Sequence, residues 1–168
     1  MEPLVDTVIE DARWADAGLD ALALRSVTAT LAAVGIPAAG LTLCVMGCDD
    51  ARIAVLNAGF RGKPGPTNVL SWPAADYAPR PDGTPPPPPE PGPADDPEPL
   101  GDIAISYDTC TAEALAAGRP LPDHTSHLVV HGLLHLLGYD HDRDGDAALM
   151  EELEVRILAT MGLSDPYA

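Results

Sequence analysis

Alternation of hydrophobic and polar positions predicts four short β-strands in this chain. The first covers residues 4–10, and the second is the run LTLCVMG at residues 41–47. Two further apolar runs of strand length occupy residues 67–72 and 103–106. Because side chains alternate between the two faces of a strand, these runs are expected to place one face in a core.

A second periodicity, with apolar residues three or four positions apart, predicts five helices. In the first, a stripe of apolar residues begins at Leu19 and closes before Gly35 and Pro37, which end helices. The helix over residues 123–138 is apolar on nearly all sides, so we expect it to be buried. The other helices are predicted from a cap at Asp49 or Asp50 to about Asn57, over residues 107–117, and over residues 146–161.

Residues 73–99 interrupt these patterns with 12 prolines in 27 positions and no apolar periodicity. Such a segment does not form a core of its own, and it is expected to be partly polyproline II. What precedes it is too short to fold alone. We therefore expect one domain over residues 1–168, with residues 73–99 as a solvent-exposed inserted loop.

Composition limits the class of protein. The three cysteines, Cys44, Cys48 and Cys110, are too few and odd in number for a disulfide framework, so reduced buried thiols are expected. The first 14 residues carry an acid where a signal peptide needs a basic residue, and no apolar stretch approaches about 18 residues. We therefore expect a cytoplasmic protein that does not contact membranes.

The formal net charge of −17 opposes polyanionic substrates at long range. However, residues 51–72 contain Arg52, Arg61 and Lys63 and no acid. A local basic patch beside a divalent ion would bind phosphate, and this makes Arg61 and Lys63 candidate substrate-binding residues. The alternative is that the three cations are merely solvated.

The stretch HGLLHLLGYDH contains three candidate metal ligands. Its histidines, His131, His135 and His141, have the spacing H-x3-H-x5-H. Histidines four residues apart share one helix face and can bind a single ion, whereas the third must return from beyond the helix end. Gly138 provides that turn. Three imidazoles leave a coordination position open, as in catalytic zinc sites.

The same stretch matches the metzincin peptidase pattern HExxHxxGxxH at every fixed position but one. Gly132 stands where peptidases have the glutamate that acts as general base. Its absence argues against ordinary peptide hydrolysis, so the metal is expected to serve another reaction.

Two neighbouring sets of residues have other interpretations. Residues 140–151 fit the EF-hand pattern D-x-D-x-D-G-x5-E, although no second copy is present and an acidic turn that caps the last helix is the alternative. His127 lies one turn before His131 on the same helix face. His127 and Asp140 are expected to contact the metal ligands or the substrate rather than the ion, and a histidine that only packs in the core is the alternative at position 127.

Three blocks of the sequence resemble the YbeY family of bacterial endoribonucleases and ribosomal RNA maturation factors. They are SHLVVHGLLHLLGYDH at residues 126–141, LNAGFRGKPGPTNVLSWP at residues 56–73 and LGDIAIS at residues 100–106. The chain departs from the family at residues 64–66, where Pro-Gly-Pro replaces a stretch that usually has an acid, and in its long proline-rich insert.

The resemblance implies a small α+β fold with a mixed four-stranded sheet and a zincin-like metal-binding helix. It also implies a zinc-like ion on the three histidines, Arg61 as a catalytic residue, and single-stranded RNA as the substrate. Ribosomal RNA maturation and ribosome quality control follow as the function, with ribosomal proteins as possible partners and DNA not expected. The alternatives are a zinc peptidase or small-molecule hydrolase, and a non-catalytic ribosome-assembly or calcium-binding protein.

Overall fold

The computed structural model describes residues 3–168 and contains one mixed sheet of four strands. The strand order is β1-β2-β4-β3, in which β1 pairs with β2 and β2 with β4 in parallel, while β3 runs antiparallel to β4. This confirms the expected α+β fold with a mixed four-stranded sheet. The strands are β1 (Val5–Ile9), β2 (Leu41–Cys48), β3 (Val69–Pro73) and β4 (Glu98–Ser106).

Six helices accompany the sheet, and five of them are the expected ones. The helix over residues 107–117 has the expected bounds, and the other four differ by a few residues. They are α1 (Arg13–Asp16), α2 (Leu19–Ala33), α3 (Asp50–Arg61), α4 (Tyr107–Ala117), α5 (Leu121–Leu136) and α6 (Asp144–Thr160). The side chain of Asp49 caps α3 by accepting a hydrogen bond from the amide of Arg52. This helix continues one turn beyond Asn57, to Gly62, whose positive φ of 66° ends it. Arg61 is therefore the last residue of a helix.

The two faces of the sheet bury different sets of side chains. Leu43 and Val45 of β2 lie in the larger core, which is shared with α2, α5 and α6. Cys48, on the opposite face of β2, lies in a smaller cluster with Ile53 of α3. This division follows from the strict alternation of side chains along a strand. Helix α5 is central to the larger core, as its apolar sequence predicts, and its leucines and valines from Leu128 onward are almost fully buried.

The four-residue helix α1 was not expected, because so short an element shows no periodicity. Its Trp14 is completely buried, and the indole N–H donates to the carbonyls of Cys48 (3.1 Å) and Ile105 (3.2 Å). Gly47 makes room for it, since a Cβ there would lie 2.6 Å from the Trp14 ring. The helix is thus explained by a buried tryptophan whose one polar atom is satisfied.

Most residues of the insert are exposed, but its ends and one segment dock against the rest of the domain. Its ends belong to the sheet, because β3 includes Pro73 and β4 begins at Glu98. Residues 77–84 pack against the end of α5 and the start of α6 through hydrogen bonds. Tyr77 Oη donates to the carbonyl of Leu136 (2.6 Å), and the Asp82 carboxylate accepts from the amides of Gly145 (3.0 Å) and Asp146 (2.7 Å). Proline content excludes a separate core, but it does not prevent docking through polar groups.

Two further sequence expectations concern the cysteines and the membrane. All three cysteines are unpaired; Cys48 and Cys110 are buried and Cys44 is half-buried. Burial raises the pKa of the Cys48 thiol to about 12, so it is protonated at neutral pH. Within residues 3–168, none of the helices combines the length and the apolar character needed to cross a membrane.

Candidate metal centre and its pocket

Helix α5 and the turn that follows it bring the three histidines together. His131 and His135 lie one helical turn apart, with their Nε2 atoms 3.1 Å from each other. After Leu137 the chain turns at Gly138, whose φ of 103° is unfavourable for other residues, and returns with His141. A ligand nitrogen of each ring lies within 4.8 Å of those of the other two. The sequence spacing alone predicted this arrangement.

Hydrogen bonds to the other ring nitrogens orient two of the histidines. His131 Nδ1 donates to Glu154 Oε1 at 2.6 Å, and His135 Nδ1 donates to the carbonyl of Tyr139 at 3.0 Å. With protons at Nδ1, both Nε2 atoms present lone pairs to the same point. Two imidazole nitrogens on a tetrahedral zinc, each bonded at about 2.0–2.1 Å, are about 3.3 Å apart, close to the separation found here. The donor set therefore fits a zinc-like ion.

The electrostatics of the centre favour neutral imidazole at His135. Burial, together with the neighbouring His131 and His141, lowers the pKa of His135 to about 4. The neutral ring keeps the lone pair that a metal ion requires. His135 can therefore act as a ligand throughout the neutral pH range.

Glu154 of α6 is the buried carboxylate behind the centre, with 1% of its surface exposed. Its Oε2 accepts a hydrogen bond from His127 Nε2 (2.8 Å), and the Tyr167 hydroxyl donates to the same oxygen. Burial alone would raise the pKa of Glu154, but the hydrogen bonds from His127, His131 and Tyr167 lower it to about 2. His127 thus contacts Glu154, which in turn accepts a hydrogen bond from the candidate ligand His131.

Asp140, the other residue expected to support the ligands, accepts a hydrogen bond from the amide of His141 (2.7 Å). Asp140, His141 and Asp142 form a second exposed group that could hold a metal ion. The EF-hand interpretation is wrong, however, because α6 begins at Asp144. Asp144 and Gly145 are therefore helical, whereas an EF-hand loop needs a sharp turn at this glycine, so the calcium-binding loop does not form.

Gly132 is buried between α5 and the sheet. A Cβ at this position would lie 3.1 Å from both Ser71 Oγ and Ile103 Cδ1. Both contacts are tighter than ordinary van der Waals packing, so the position is already full with glycine. The structure gives a packing reason for the missing glutamate.

The histidines lie in a pocket of about 690 Å³ between α3, α5, β3 and the insert. Arg61 lines it. Lys63 is exposed and is not among the lining residues, so the structure does not place it with Arg61. Phe60, with 52% of its surface exposed, also lines the pocket and packs against Trp72 with ring centroids 5.1 Å apart.

The sequence did not predict three residues of this site, two that line the pocket and one that orients a histidine from behind it. Tyr77 and Arg80 of the insert line the pocket, and Glu154 lies behind it. Only Glu154 had a signal in the sequence: it stands between Met150 and Leu158 on the apolar stripe of α6, where an acid must have a buried partner. The insert residues had none, because their contacts are made to segments about sixty positions away.

Comparisons with known proteins match this chain to one family over most of its length. The family model described as Endoribonuclease YbeY matches residues 8–162. Proteins of the same description are 60% identical in Cereibacter sphaeroides, over 99% of this chain and 100% of the relative, and 56% identical in Ruegeria pomeroyi, over 97% of each. A third, from Rhodopseudomonas palustris, is 46% identical over 99% of this chain and 82% of the relative.

The fold is also similar to a solved structure. The solution structure of TM1509 from Thermotoga maritima superposes with a TM-score of 0.54 at 18% identity, covering 98% of this chain and 99% of the other. This similarity concerns the fold alone, whereas the family match spans the candidate metal centre and the pocket. The chain belongs to the endoribonuclease YbeY family.

Proposed function

We propose that this protein is a zinc-dependent endoribonuclease that cleaves single-stranded RNA during ribosomal RNA maturation and ribosome quality control. The observation that carries the proposal is the convergence of His131, His135 and His141 in the pocket that Arg61 also lines. The names of its relatives support RNA as the substrate.

Zinc is proposed because all three converging ligands are imidazoles. Calcium and magnesium require oxygen ligands, whereas imidazole suits zinc and its transition-metal neighbours. When bound, such an ion lowers the pKa of a coordinated water and polarises a phosphoryl oxygen. His131 and His135 are held ready by their Nδ1 hydrogen bonds, so binding requires little rearrangement of their rings.

Arg61 is proposed to bind the phosphate that is attacked. No ion pair within residues 3–168 neutralises its guanidinium, and its position at the end of α3 directs it to the pocket. A guanidinium can donate two parallel hydrogen bonds to phosphate oxygens and so stabilise charge that develops in the transition state. Lys63, exposed nearby, is proposed to contribute to RNA binding at longer range.

Phe60 supports a single-stranded substrate. Its exposed ring stands beside Arg61 at the pocket, braced by Trp72. An unpaired base can stack on such a ring, which contributes roughly 1–3 kcal/mol, whereas bases in a duplex are already stacked on one another. We therefore propose that single-stranded ribosomal RNA is bound here, in the cytoplasm, with the ribosome or its proteins as partners and without DNA or membranes.

The peptidase alternative is not favoured. A glutamate at position 132 would have to displace Ser71 or Ile103, so the pocket does not have room for the glutamate that acts as general base in metzincins. A carboxylate beside the ion would also repel the phosphate of RNA.

The proposal can be tested with the purified protein, a fluorescent single-stranded RNA, the matching duplex and DNA, and a peptide library. We expect about one zinc per chain and cleavage of the single-stranded RNA only. His135→Ala should lose the metal and the activity. Arg61→Ala should lose most of the cleavage while keeping the metal and the melting temperature, and Arg61→Lys should restore little of it.

Arg52→Ala is the matched control, because Arg52 is also an exposed arginine of α3 but pairs with Glu10 (3.2 Å) outside the pocket. It should cleave RNA at the wild-type rate. Peptide cleavage by a fully zinc-loaded protein that leaves single-stranded RNA intact would overturn the proposed function.

A further inference from the structure

The proline-rich insert forms one wall of the pocket that holds the histidines. Tyr77 and Arg80 line the pocket, and they donate hydrogen bonds to the carbonyls of Leu136 and Gly138 at the end of α5. The Tyr77 ring packs closely against Gly138, because a Cβ at position 138 would lie 2.7 Å from that ring. Asp82 and Gly83 continue the attachment at the start of α6, through the hydrogen bonds to Gly145 and Asp146.

Within this wall, Arg80 is held in one orientation. Its Nη2 donates to the carbonyl of Gly138 (2.9 Å) and its Nε to the carbonyl of Thr84 (2.8 Å). The carbonyl of Arg80 accepts in turn from Arg143 Nη2 (2.8 Å). The side chain is half-buried, so little rotational freedom remains to be lost when a ligand binds.

The guanidinium of Arg80 forms no ion pair with the described residues, although the carboxylates of Asp140 and Asp146 also line the pocket. Both of its hydrogen-bond partners are carbonyls. Arg143, the third arginine of the pocket, differs because Asp146 neutralises it at 2.8 Å. In a protein with a net charge of −17, two unpaired guanidinium groups, those of Arg61 and Arg80, therefore remain in one pocket.

We infer that Arg80 is a second phosphate-binding residue, which contacts the RNA backbone away from the cleaved bond. The inference rests on the proposed function, because it requires RNA in this pocket. Nη1 makes no hydrogen bond to the described residues and is the group that can donate to a phosphate oxygen. The role of Arg80 is binding and positioning of the substrate, whereas the attacked phosphate is left to Arg61.

Salt dependence of the Michaelis constant separates this role from a merely structural one. Each phosphate contact to a single strand contributes about 0.7 to the slope of log affinity against log salt concentration. With zinc-loaded protein and a fluorescent single-stranded RNA, Arg80→Ala and Arg80→Gln should lower that slope by about 0.7. Their KM should rise roughly tenfold at low salt, which corresponds to about 1.4 kcal/mol, with kcat within about twofold of wild type.

Two variants serve as comparisons. Arg80→Lys keeps the charge but not the pair of carbonyl contacts, so it should keep the slope near the wild-type value. Arg25→Ala removes an equal charge from an exposed position of α2 outside the pocket, and its KM and slope should not change.

A wild-type slope in Arg80→Ala would overturn the inference, as would equal losses of affinity in the Ala, Gln and Lys variants, which would show that Arg80 only anchors the insert. Failure of the wild-type protein to cleave single-stranded RNA is a different result. It would refute the proposed function before any Arg80 variant is measured.

Discussion

Replacement of Glu154 by glutamine tests how far a buried carboxylate holds the histidine centre in shape. The carboxylate accepts hydrogen bonds from His131 (2.6 Å) and His127 (2.8 Å), and from the Tyr167 hydroxyl as well. Glutamine has nearly the same size but offers one acceptor oxygen and one NH₂ donor. At least one of the three donors then faces another donor, and the negative charge behind His131 is lost.

This substitution should lower both the folding stability and the affinity for the metal ion. A buried donor without a partner costs about 1–3 kcal/mol of folding stability. Loss of the carboxylate behind a metal-binding histidine lowers metal affinity about 10- to 100-fold, which is about 1.4–2.7 kcal/mol. Because His135 is oriented by Tyr139 rather than by Glu154, we expect the loss of affinity to be nearer tenfold.

The assay is zinc binding in competition with a chromogenic chelator, together with thermal melting of the metal-free protein. Glu151→Gln is the control, since Glu151 is an exposed acid one turn earlier on α6. We expect it to match the wild type in both measurements. If Glu154→Gln binds zinc as tightly as the wild type while only its melting temperature falls, the idea that Glu154 presents His131 to the metal is refuted.

Two other substitutions probe the packing around the site. Asp82→Ala removes the cap that the insert provides to α6 and should lower folding stability by about 0.5–2 kcal/mol, at about 2–4 °C of melting temperature per kcal/mol. Asp76→Ala, at an exposed position of the same insert, should melt like the wild type, and equal melting temperatures of the two variants would contradict docking of the insert. Gly132→Glu should lower the melting temperature, because overpacking against Ser71 and Ile103 costs about 1–3 kcal/mol and exceeds the roughly 1 kcal/mol gained by replacing glycine in a helix. A stable variant that cleaves peptides would contradict the packing reason given for this glycine.

The residues of the centre that could be predicted are those whose signal is local. His131, His135 and His141 lie within 11 consecutive positions, so helix geometry and one glycine turn relate them without knowledge of the rest of the fold. The basic stretch at residues 51–72 made Arg61 a candidate for phosphate binding, and the family resemblance added its expected catalytic role. The strands and the longer helices were also recognisable, because their periodicity extends over many residues.

The residues that were missed depend on contacts between distant segments. Glu154 is 23 positions from His131, and Tyr77 is 59 positions from Leu136. No spacing rule relates such pairs, since the chain between them can follow many paths. The docking of the insert was also obscured by its prolines, which argue correctly against a core but say nothing about side chains that bind a neighbouring backbone.

The two tryptophans of the chain occupy environments that make them separate optical reporters. Trp14 is sealed in the core with its indole N–H bonded to two carbonyls, so its fluorescence follows folding and is protected from quenchers in water. Trp72 is only half-buried and touches Phe60, the aromatic ring exposed at the pocket. Emission that acrylamide quenches in the native protein therefore comes from Trp72, and a change in that component on addition of RNA reports events at the pocket without any attached dye.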